Sequence, residues 1–189
     1  MKKINRLSKK FSKYSLSEYF SKKWALLKSV TATAEKRRRK MTLTQKEHGL
    51  LCDLKTQEQL CIEKYTKYEN EACDPALKTL FSSIKATEQS HLDTINRIIG
   101  GEEVTMPGEA PKAKKWTGEQ SSCPADKKNS DAFLCKDALT MEKHVSSLYD
   151  TSVFEFSNPT LRDTLAHIQK EEQNHGEEIY SYMNANNMY

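Results

Sequence analysis

An internal repeat is the feature of this 189-residue sequence that most constrains its fold. An ungapped offset of 84 residues aligns two segments, roughly 50–98 and 134–182. Identical residues recur at turn, core and polar positions alike. The matching pairs are Leu50 with Leu134, Glu58 with Glu142, Tyr65 with Tyr149, Pro75 with Pro159, Leu77 with Leu161, Ile84 with Ile168, Glu88 with Glu172, Gln89 with Gln173 and His91 with His175. Because the period is long and there are only two copies, the repeat indicates a duplicated structural unit rather than a solenoid.

Each copy has the pattern of two helices joined by a short turn. Thr44 and Glu47 form a capping-box pattern, which predicts a helix that begins near Gln45. Asp74-Pro75 suits the N-cap and first position of a second helix, and Asn158-Pro159 occupies the same place in the second copy. The predicted core-facing stripes are, in chain order, Leu51, Leu54, Glu58, Cys61 and Tyr65; Leu77, Phe81, Ile84, Glu88, His91, Ile95 and Ile98; Leu134, Ala138, Glu142, Val145 and Tyr149; and Leu161, Leu165, Ile168, Glu172, His175, Ile179 and Tyr182.

Four amphipathic helices cannot each bury a stripe alone, so residues 42–189 are predicted to form an all-α, antiparallel four-helix bundle. The two hairpins cover about 44–99 and 131–183. Between them, residues 100–130 hold four of the six glycines and three of the five prolines, which predicts a crossover linker. This linker is long enough to return along a helix. Whether Trp116 pins it to the bundle stays open.

A basic leader, residues 1–41, precedes the predicted bundle. Residues 1–40 hold 14 Lys and Arg against two acidic residues, a net charge of +12, whereas the remainder holds 16 basic and 24 acidic residues, a net charge of −8. Several interpretations of the leader stay open, including that it takes no part in the fold. They are a basic amphipathic helix with Ile4, Leu7, Phe11 and Tyr14 on one face, a weak export signal over Trp24–Val30 with Ala32–Ala34 as cleavage site, an untranslated or variable segment ahead of a start at Met41, and a nucleic-acid contact through Lys36–Lys40.

Two classes of partner are not expected. A run of charge such as Lys36–Lys40 is usually a solvated surface, so no nucleic acid is expected. No apolar run approaches the roughly 20 residues that a membrane-spanning helix needs. The sequence therefore predicts no membrane span.

The cysteines favour a reduced, intracellular protein. There are five, an odd number, and no CxxC pair occurs among them. Such a set is more typical of free thiols than of a disulfide framework. Cys123, in the predicted linker, is the best candidate for a reactive or intermolecular thiol, and the others are interpreted as small helix-packing residues.

Six polar residues occupy core positions of the predicted stripes, where apolar residues are expected. They are Glu58, Glu88, His91, Glu142, Glu172 and His175. Burying four carboxylates without partners would be very costly, so cations are needed to neutralise them. A Glu from each of two helices, with Glu-x-x-His from each of the other two, is the ligand set of the ferritin-like di-iron proteins. Because residues i and i+3 share a helix face, each Glu-x-x-His pair can reach one centre.

The sequence thus predicts a di-metal carboxylate site with two metal ions. Glu88 and Glu172 bridge the ions in this prediction, and the terminal pairs are Glu58 with His91 and Glu142 with His175. Oxygen and imidazole ligands fit iron or manganese, and zinc is also compatible, so the ligand types do not choose the metal. Iron is the first expectation and manganese the second. The alternative is an inherited polar core that binds metal poorly or holds protonated carboxylates.

Other polar residues near these positions receive simpler interpretations. Tyr65 and Tyr149 lie seven residues beyond Glu58 and Glu142, so they are either hydrogen-bond partners of the ligands or ordinary buried tyrosines. The remaining histidines show no comparable partners and are interpreted as surface or helix-packing residues: His48, His144 and His167.

Together these motifs resemble those of the spore coat protein F (Coat F) family, a member of the ferritin-like superfamily. The resemblance covers about residues 42–189, without the leader. The residues that carry it are Gln57-Glu58, Asp74-Pro75, Glu88-Gln-Ser-His91, Glu142-Lys-His-Val, Gln169-Lys-Glu-Glu172-Gln-Asn-His175-Gly and the closing Asn187-Met-Tyr189. It implies a protein that is synthesised in the cytoplasm during sporulation and deposited in the spore coat, with other coat proteins as partners.

The function has two candidates. In the first, the protein is a spore coat component whose metal ions mainly stabilise the bundle. In the second, it is a di-metal oxidoreductase of rubrerythrin-like type that acts on peroxide, oxygen or ferrous iron. The sequence lacks the cysteine-rich rubredoxin module of rubrerythrins, so the second candidate requires an external electron donor. A homo-oligomer is compatible with both, whereas an iron-storage cage is not favoured, because only a short polar tail follows Glu178.

Overall fold

The computed structural model describes residues 20–28, 42–105, 108, 112–118 and 120–189. It divides the chain into two compact units, Met1–Met41 and Thr42–Tyr189. In the first unit, residues 20–28 form a helix whose side chains are all exposed. The other predictions for the leader, at Ile4–Tyr14 and at 32–41, lie outside the described residues. None of the helices in the described part of the chain combines the length and the apolarity that crossing a membrane requires.

The second unit consists of four long helices. They are α1, Gln45–Glu71; α2, Pro75–Ile99; α3, Ala125–Glu155; and α4, Pro159–Ala185. No strand occurs among the described residues, so the all-α prediction is confirmed. The helix α3 begins at Ala125, six residues ahead of the predicted start near residue 131. Pro124, with an extended backbone, is the N-cap residue just before this start. Asp126 lies in the first turn, where its negative charge suits the positive end of the helix dipole.

Local capping signals set the other helix starts as the sequence predicts. Thr44 and Glu47 form a complete capping box: the Thr44 amide donates to Glu47 Oε2 at 2.8 Å, and the Glu47 amide donates to Thr44 Oγ1 at 3.2 Å. Asp74 caps α2 by accepting from the Ala76 amide at 2.9 Å. Asn158 caps α4 in the same way, through the Leu161 amide. Pro75 and Pro159 each take the first helical position.

A buried carboxylate at the start of each hairpin holds the turn of the other hairpin. Asp131 of α3 accepts from the backbone amides of Cys73 and Asp74, at 2.8 and 3.0 Å. Glu47 of α1 accepts from the amide and the hydroxyl of Ser157, at 2.9 and 3.1 Å. These reciprocal contacts satisfy turn amides that no helix ladder can pair. They also show that the two hairpins pack in opposite directions.

A disulfide joins the turn of the first hairpin to the end of the crossover. Cys73 and Cys123 are bonded, with Cα atoms 6.4 Å apart. The prediction that Cys123 is a reactive or intermolecular thiol and the interpretation of Cys73 as a small helix-packing residue are therefore wrong. No short-range pattern indicates this bond, because the two cysteines are 50 residues apart and meet only in the folded bundle. Among the described residues, Cys52, Cys61 and Cys135 are free.

The crossover lies against α4. The Trp116 amide donates to Ser181 Oγ at 2.7 Å, and its indole packs edge-on against the Tyr182 ring, with centroids 5.2 Å apart. Farther along, the Ser121 amide donates to the Asn186 side chain at 2.7 Å. Trp116 thus anchors the crossover to the bundle, which the sequence left open.

Within the bundle, α1 packs on α2 and α3 packs on α4, while α1 faces α3 and α2 faces α4. Apolar side chains fill both ends of the core, and a layer of buried Glu and His lies between them. The large, fully buried residues of the two ends are Leu51, Leu54, Tyr65, Leu77, Phe81, Ile84, Ile95, Ile98, Tyr149, Leu161, Leu165 and Tyr182. This apolar packing supplies most of the driving force for folding and fixes the polar layer in place.

Candidate metal centre

The polar layer of the core consists of the six residues that the sequence singled out. Each helix contributes at least one: Glu58 from α1, Glu88 and His91 from α2, Glu142 from α3, and Glu172 and His175 from α4. None of the six is more than 5% exposed. Since such residues are almost never fully buried without a partner, their burial as a cluster needs a physical explanation.

The six residues form two overlapping groups of four. The first is Glu58, Glu88, His91 and Glu172, and the second is Glu88, Glu142, Glu172 and His175. In each group the ligand atoms lie within 4.8 Å of one another. Only Glu88 and Glu172 belong to both groups, so their carboxylates lie where they can bridge two cations.

Both imidazoles point their Nδ1 atoms toward the centre. His91 Nδ1 lies 3.0 Å from Glu172 Oε1 and 3.4 Å from Glu88 Oε2. His175 Nδ1 lies 3.0 Å from Glu88 Oε1 and 3.4 Å from Glu142 Oε2. The two rings stack, with centroids 5.9 Å apart. This nearly two-fold arrangement follows from the i, i+3 spacing of Glu and His on α2 and α4.

The atoms that face the centre have no hydrogen-bond partner among the described residues. They are Glu58 Oε2, both carboxylate oxygens of Glu88 and of Glu172, Glu142 Oε2, and Nδ1 of His91 and of His175. Buried polar atoms in folded proteins are nearly always paired, so eight unpaired atoms around one point are exceptional. Carboxylate oxygens and imidazole nitrogens are the donor set of iron and manganese sites. These residues therefore fit a metal centre.

The protonation of the cluster reflects burial and mutual repulsion. Burial and the neighbouring carboxylates raise the pKa of Glu58 well above its ordinary value, and burial does the same for Glu142. For Glu88, burial works in the same direction, but contacts with His175 and His91 outweigh it and hold the pKa below its ordinary value. Without a cation, the cluster thus retains protons, and metal ions must displace them.

Two tyrosines connect the cluster across the α1–α3 interface. The Tyr65 hydroxyl donates to Glu142 Oε1, and the Tyr149 hydroxyl donates to Glu58 Oε1. Each tyrosine thus serves the carboxylate of the other hairpin. The sequence left open whether these tyrosines are hydrogen-bond partners of the candidate ligands or ordinary buried tyrosines, and the structure shows the hydrogen bonds. Such contacts fix a ligand's orientation and leave its other oxygen free to face the centre.

Comparison with protein families matches residues 130–189 to the Coat F domain. The chain therefore carries a Coat F domain. This domain indicates that the protein is located in the spore coat. It includes most of α3 and all of α4, and so contributes Glu142, Glu172 and His175 to the cluster. The predicted resemblance is confirmed for this part of the chain. No curated protein and no solved structure matches the chain.

The Coat F domain also contributes two residues near the cluster that the sequence reading missed. Glu171 Oε2 lies 3.0 Å from Nε2 of His91, and His167 Nε2 lies 3.5 Å from the same oxygen. His167, interpreted from the sequence as a surface or helix-packing residue, is half-buried and has Glu171 as its partner. The available signal was the i, i+4 spacing of His167 and Glu171 on the face of α4 that approaches α2.

A cavity whose lining includes Glu171 also reaches His175. Its volume is about 130 Å³. It lies between α2 and α4 beneath the crossover, where the Lys114 amide donates to Glu178 Oε1 at 2.8 Å. The lining residues are Ser83, Ile84, Thr87, Lys112, Lys114, Glu171, Asn174, His175 and Glu178. The surroundings of the two histidines therefore differ, although their inward contacts are alike.

Proposed function

We propose that this protein is a spore coat component whose core holds two metal ions, in a ferritin-like bundle built from two repeated hairpins. The observation that carries the metal centre is the convergence of eight unpaired, buried ligand atoms on one region of the core. The repeat is supported by the exchange of equivalent contacts between hairpins, as in the Tyr65–Glu142 and Tyr149–Glu58 pairs.

The proposed ligands have distinct roles. Glu88 and Glu172 bridge the two ions, because each belongs to both groups. The terminal ligands are Glu58 and His91 for one ion, and Glu142 and His175 for the other. Iron is the first candidate and manganese the second, and both fit the donor set of oxygen and imidazole nitrogen. Such ions would supply a redox-active centre and would hold the four helices together.

In the coat, the bundle packs with other coat proteins. Two aromatic side chains of α3 support this role: Phe133 is 70% exposed and Phe154 is 83% exposed. Metal ions that bind only the folded chain add to its stability by mass action. The primary role in this proposal is thus a coat protein stabilised by metal.

A second candidate function is oxidoreductase activity on peroxide, oxygen or ferrous iron. The cavity beside His175 favours it, because a reactant must reach the ions. In that case the chain's own residues would exclude bulk water through the apolar ends of the core, and Tyr65 and Tyr149 would hold the terminal carboxylates. An external protein would donate the electrons.

Elemental analysis tests the metal centre. Wild-type protein from cells supplied with iron and manganese is compared with Glu88→Ala/Glu172→Ala, which removes both bridging carboxylates. We expect close to two ions per chain in the wild type and none in the double variant. The matched control is Glu63→Ala/Glu177→Ala, which removes two exposed carboxylates from the same bundle and should retain the metal. A wild type that folds without metal in these cells would overturn the proposal.

A further inference from the structure

The two histidines of the centre differ in what lies behind them. At the offset of 84 residues, Glu171 corresponds to Thr87 and His167 corresponds to Ser83. The longer side chains, His167 and Glu171, lie behind His91. Glu171 is hydrogen-bonded to the ring nitrogen of His91 that faces away from the centre. Behind His175 stand the short pair, Ser83 and Thr87, and the space they leave is part of the cavity. The repeat is therefore broken at the outer side of the centre.

The contact between His91 and Glu171 closes its side of the centre. A carboxylate that binds the outer nitrogen of a metal-binding imidazole fixes the orientation of the ring and strengthens its hold on the metal. His167 lies against the same carboxylate, with its Nε2 atom 3.5 Å from Glu171 Oε2, and Glu171 also lines the cavity beside His175. No hydrogen bond of this kind joins the outer nitrogen of His175 to any residue in the described part of the chain.

The cavity beside His175 suits a small polar molecule. Its volume of about 130 Å³ leaves room for more than one water molecule, since a single water needs about 10–15 Å³ of such space. Its charged lining is balanced, since Lys112 and Lys114 are offset by Glu171 and Glu178. Its size and polar groups suit water, peroxide or a small anion.

We infer that the His175 side is the entrance of the metal centre. Small polar ligands and exchanging metal ions pass through this cavity to the position formed with Glu142 and His175, while Glu171 and His167 close the position formed with Glu58 and His91. This inference rests on the proposed metal centre. It adds that the two metal positions differ in how easily they are reached from outside the core, although their ligands are of the same types.

Exchanging the outer pairs between the two sides tests this inference. The first variant, Ser83→His/Thr87→Glu, copies the closed side onto the open one. The second, His167→Ser/Glu171→Thr, copies the open side onto the closed one. Metal-loaded proteins are mixed with excess chelator, and metal release is followed by the absorbance of the chelate. Binding of azide to the iron-loaded proteins is followed by its charge-transfer absorption as a second readout.

We expect two release phases from the wild type. The first variant should slow the fast phase and weaken azide binding, and leave the slow phase unchanged. The second should accelerate the slow phase by about tenfold or more, because loss of an outer carboxylate typically costs 10–100-fold in metal affinity. Thr87→Gln separates obstruction from charge, since it fills the same space without a new carboxylate and should also slow the fast phase. Ser90→Glu adds a charge on the exposed side of α2 and should change neither phase.

The outcomes distinguish this inference from the proposed function. A wild type without metal would overturn the metal centre itself, and the inference with it. A wild type that binds two ions and releases them in one phase would overturn only the inequality of the two positions. If the wild type releases metal in two phases and neither Thr87→Gln nor Ser83→His/Thr87→Glu changes them, the proposed entrance is wrong. If a double variant does not fold, Thr87→Gln and Glu171→Thr alone decide the question.

Discussion

The first hairpin, α1 with α2, and the second, α3 with α4, are alike in the core. They differ at their margins, which are the turns and the outer sides of the two histidines. Inside, each supplies one Glu, one Glu-x-x-His pair and one tyrosine that serves the other hairpin. At the margins, the turn of the first hairpin has Cys73 in a disulfide, whereas the equivalent position of the second is Ser157, bound to Glu47. His91 has a carboxylate behind it, and His175 has a cavity.

This difference indicates which positions of the two hairpins can differ. A buried Glu or His without partners would be an unpaired charge, and both hairpins contain the complete set. A residue at the margin can exchange protein contacts for water at small cost. The features particular to each hairpin therefore lie at the turns and behind the histidines, and the proposed entrance is one of them.

Removing the disulfide should have the largest effect on the comparison. Cys73→Ser/Cys123→Ser makes the first turn resemble the second. The bond closes a loop of about 50 residues, so its loss should lower the free energy of unfolding by about 4 kcal/mol on the chain-entropy account. Urea denaturation of the metal-free proteins without reductant measures this. Cys52→Ser, which removes a free cysteine, is the control, and equal stability of the two variants would contradict the prediction.

The two carboxylates that hold the turns should come next. Asp131→Ala leaves two turn amides without their acceptor, one of them buried, and should lower the free energy of unfolding by about 3 kcal/mol. Glu47→Ala should cost about 2 kcal/mol, because the amide and hydroxyl of Ser157 are only partly buried and water can replace the acceptor. Asp53→Ala, at an exposed position of α1, is the control. A smaller loss for Asp131→Ala than for Glu47→Ala would reverse the expected order.

The tyrosines should show that the interiors are equivalent. Tyr65→Phe and Tyr149→Phe each remove one buried hydroxyl from a carboxylate of the cluster. Each should lower the free energy of unfolding of the metal-free protein by about 1–2 kcal/mol, and by similar amounts. Tyr180→Phe, at an exposed tyrosine, should have no effect. Clearly unequal losses for the two buried tyrosines would mean that the asymmetry extends into the core.

Much of the fold and the centre is readable from the sequence because the signals are local or repeated. The capping box at Thr44 and the Asp74-Pro75 pair act within one helical turn. The candidate ligands stand out because charged residues on a core stripe, at matching positions in two copies, have no other simple explanation. The tyrosines follow from the same offset of 84 residues.

The features that were not predicted depend on contacts between segments that are distant in the sequence and meet only in the folded protein. The Cys73–Cys123 bond joins a turn to the end of a crossover, and no spacing rule connects positions 50 residues apart. The stripe pattern places Glu172 in the core, but only the closeness of α2 and α4 shows that the adjacent Glu171 stands behind His91. The start of α3 at Ala125 was obscured because Pro124 reads equally as the end of a linker and as the beginning of a helix.

The smallest expected effect is a pH dependence at the turn that Glu47 holds. Burial alone would raise the pKa of Glu47, but hydrogen bonds from Ser157 and Thr44 outweigh it and hold the pKa below its ordinary value of 4.5. A carboxyl whose pKa is lower in the folded than in the unfolded chain stabilises the fold above its ordinary pKa, and this stabilisation is lost as the pH falls through the lowered value. Glu47→Gln should therefore have a lower free energy of unfolding than the wild type at neutral pH. In acid the two proteins should become nearly equal in stability.

Urea midpoints of wild type and Glu47→Gln, measured between about pH 6 and about pH 3, test this pH dependence across the ordinary range of Glu titration. The buried cluster titrates in both proteins, so the difference between their midpoints isolates Glu47. The difference should shrink as the pH falls, whereas Glu63→Gln, at an exposed position of the same helix, should differ little from wild type at any pH. A difference that stays constant with pH would mean that Glu47 holds the Ser157 turn through shape and neutral hydrogen bonds rather than through its charge.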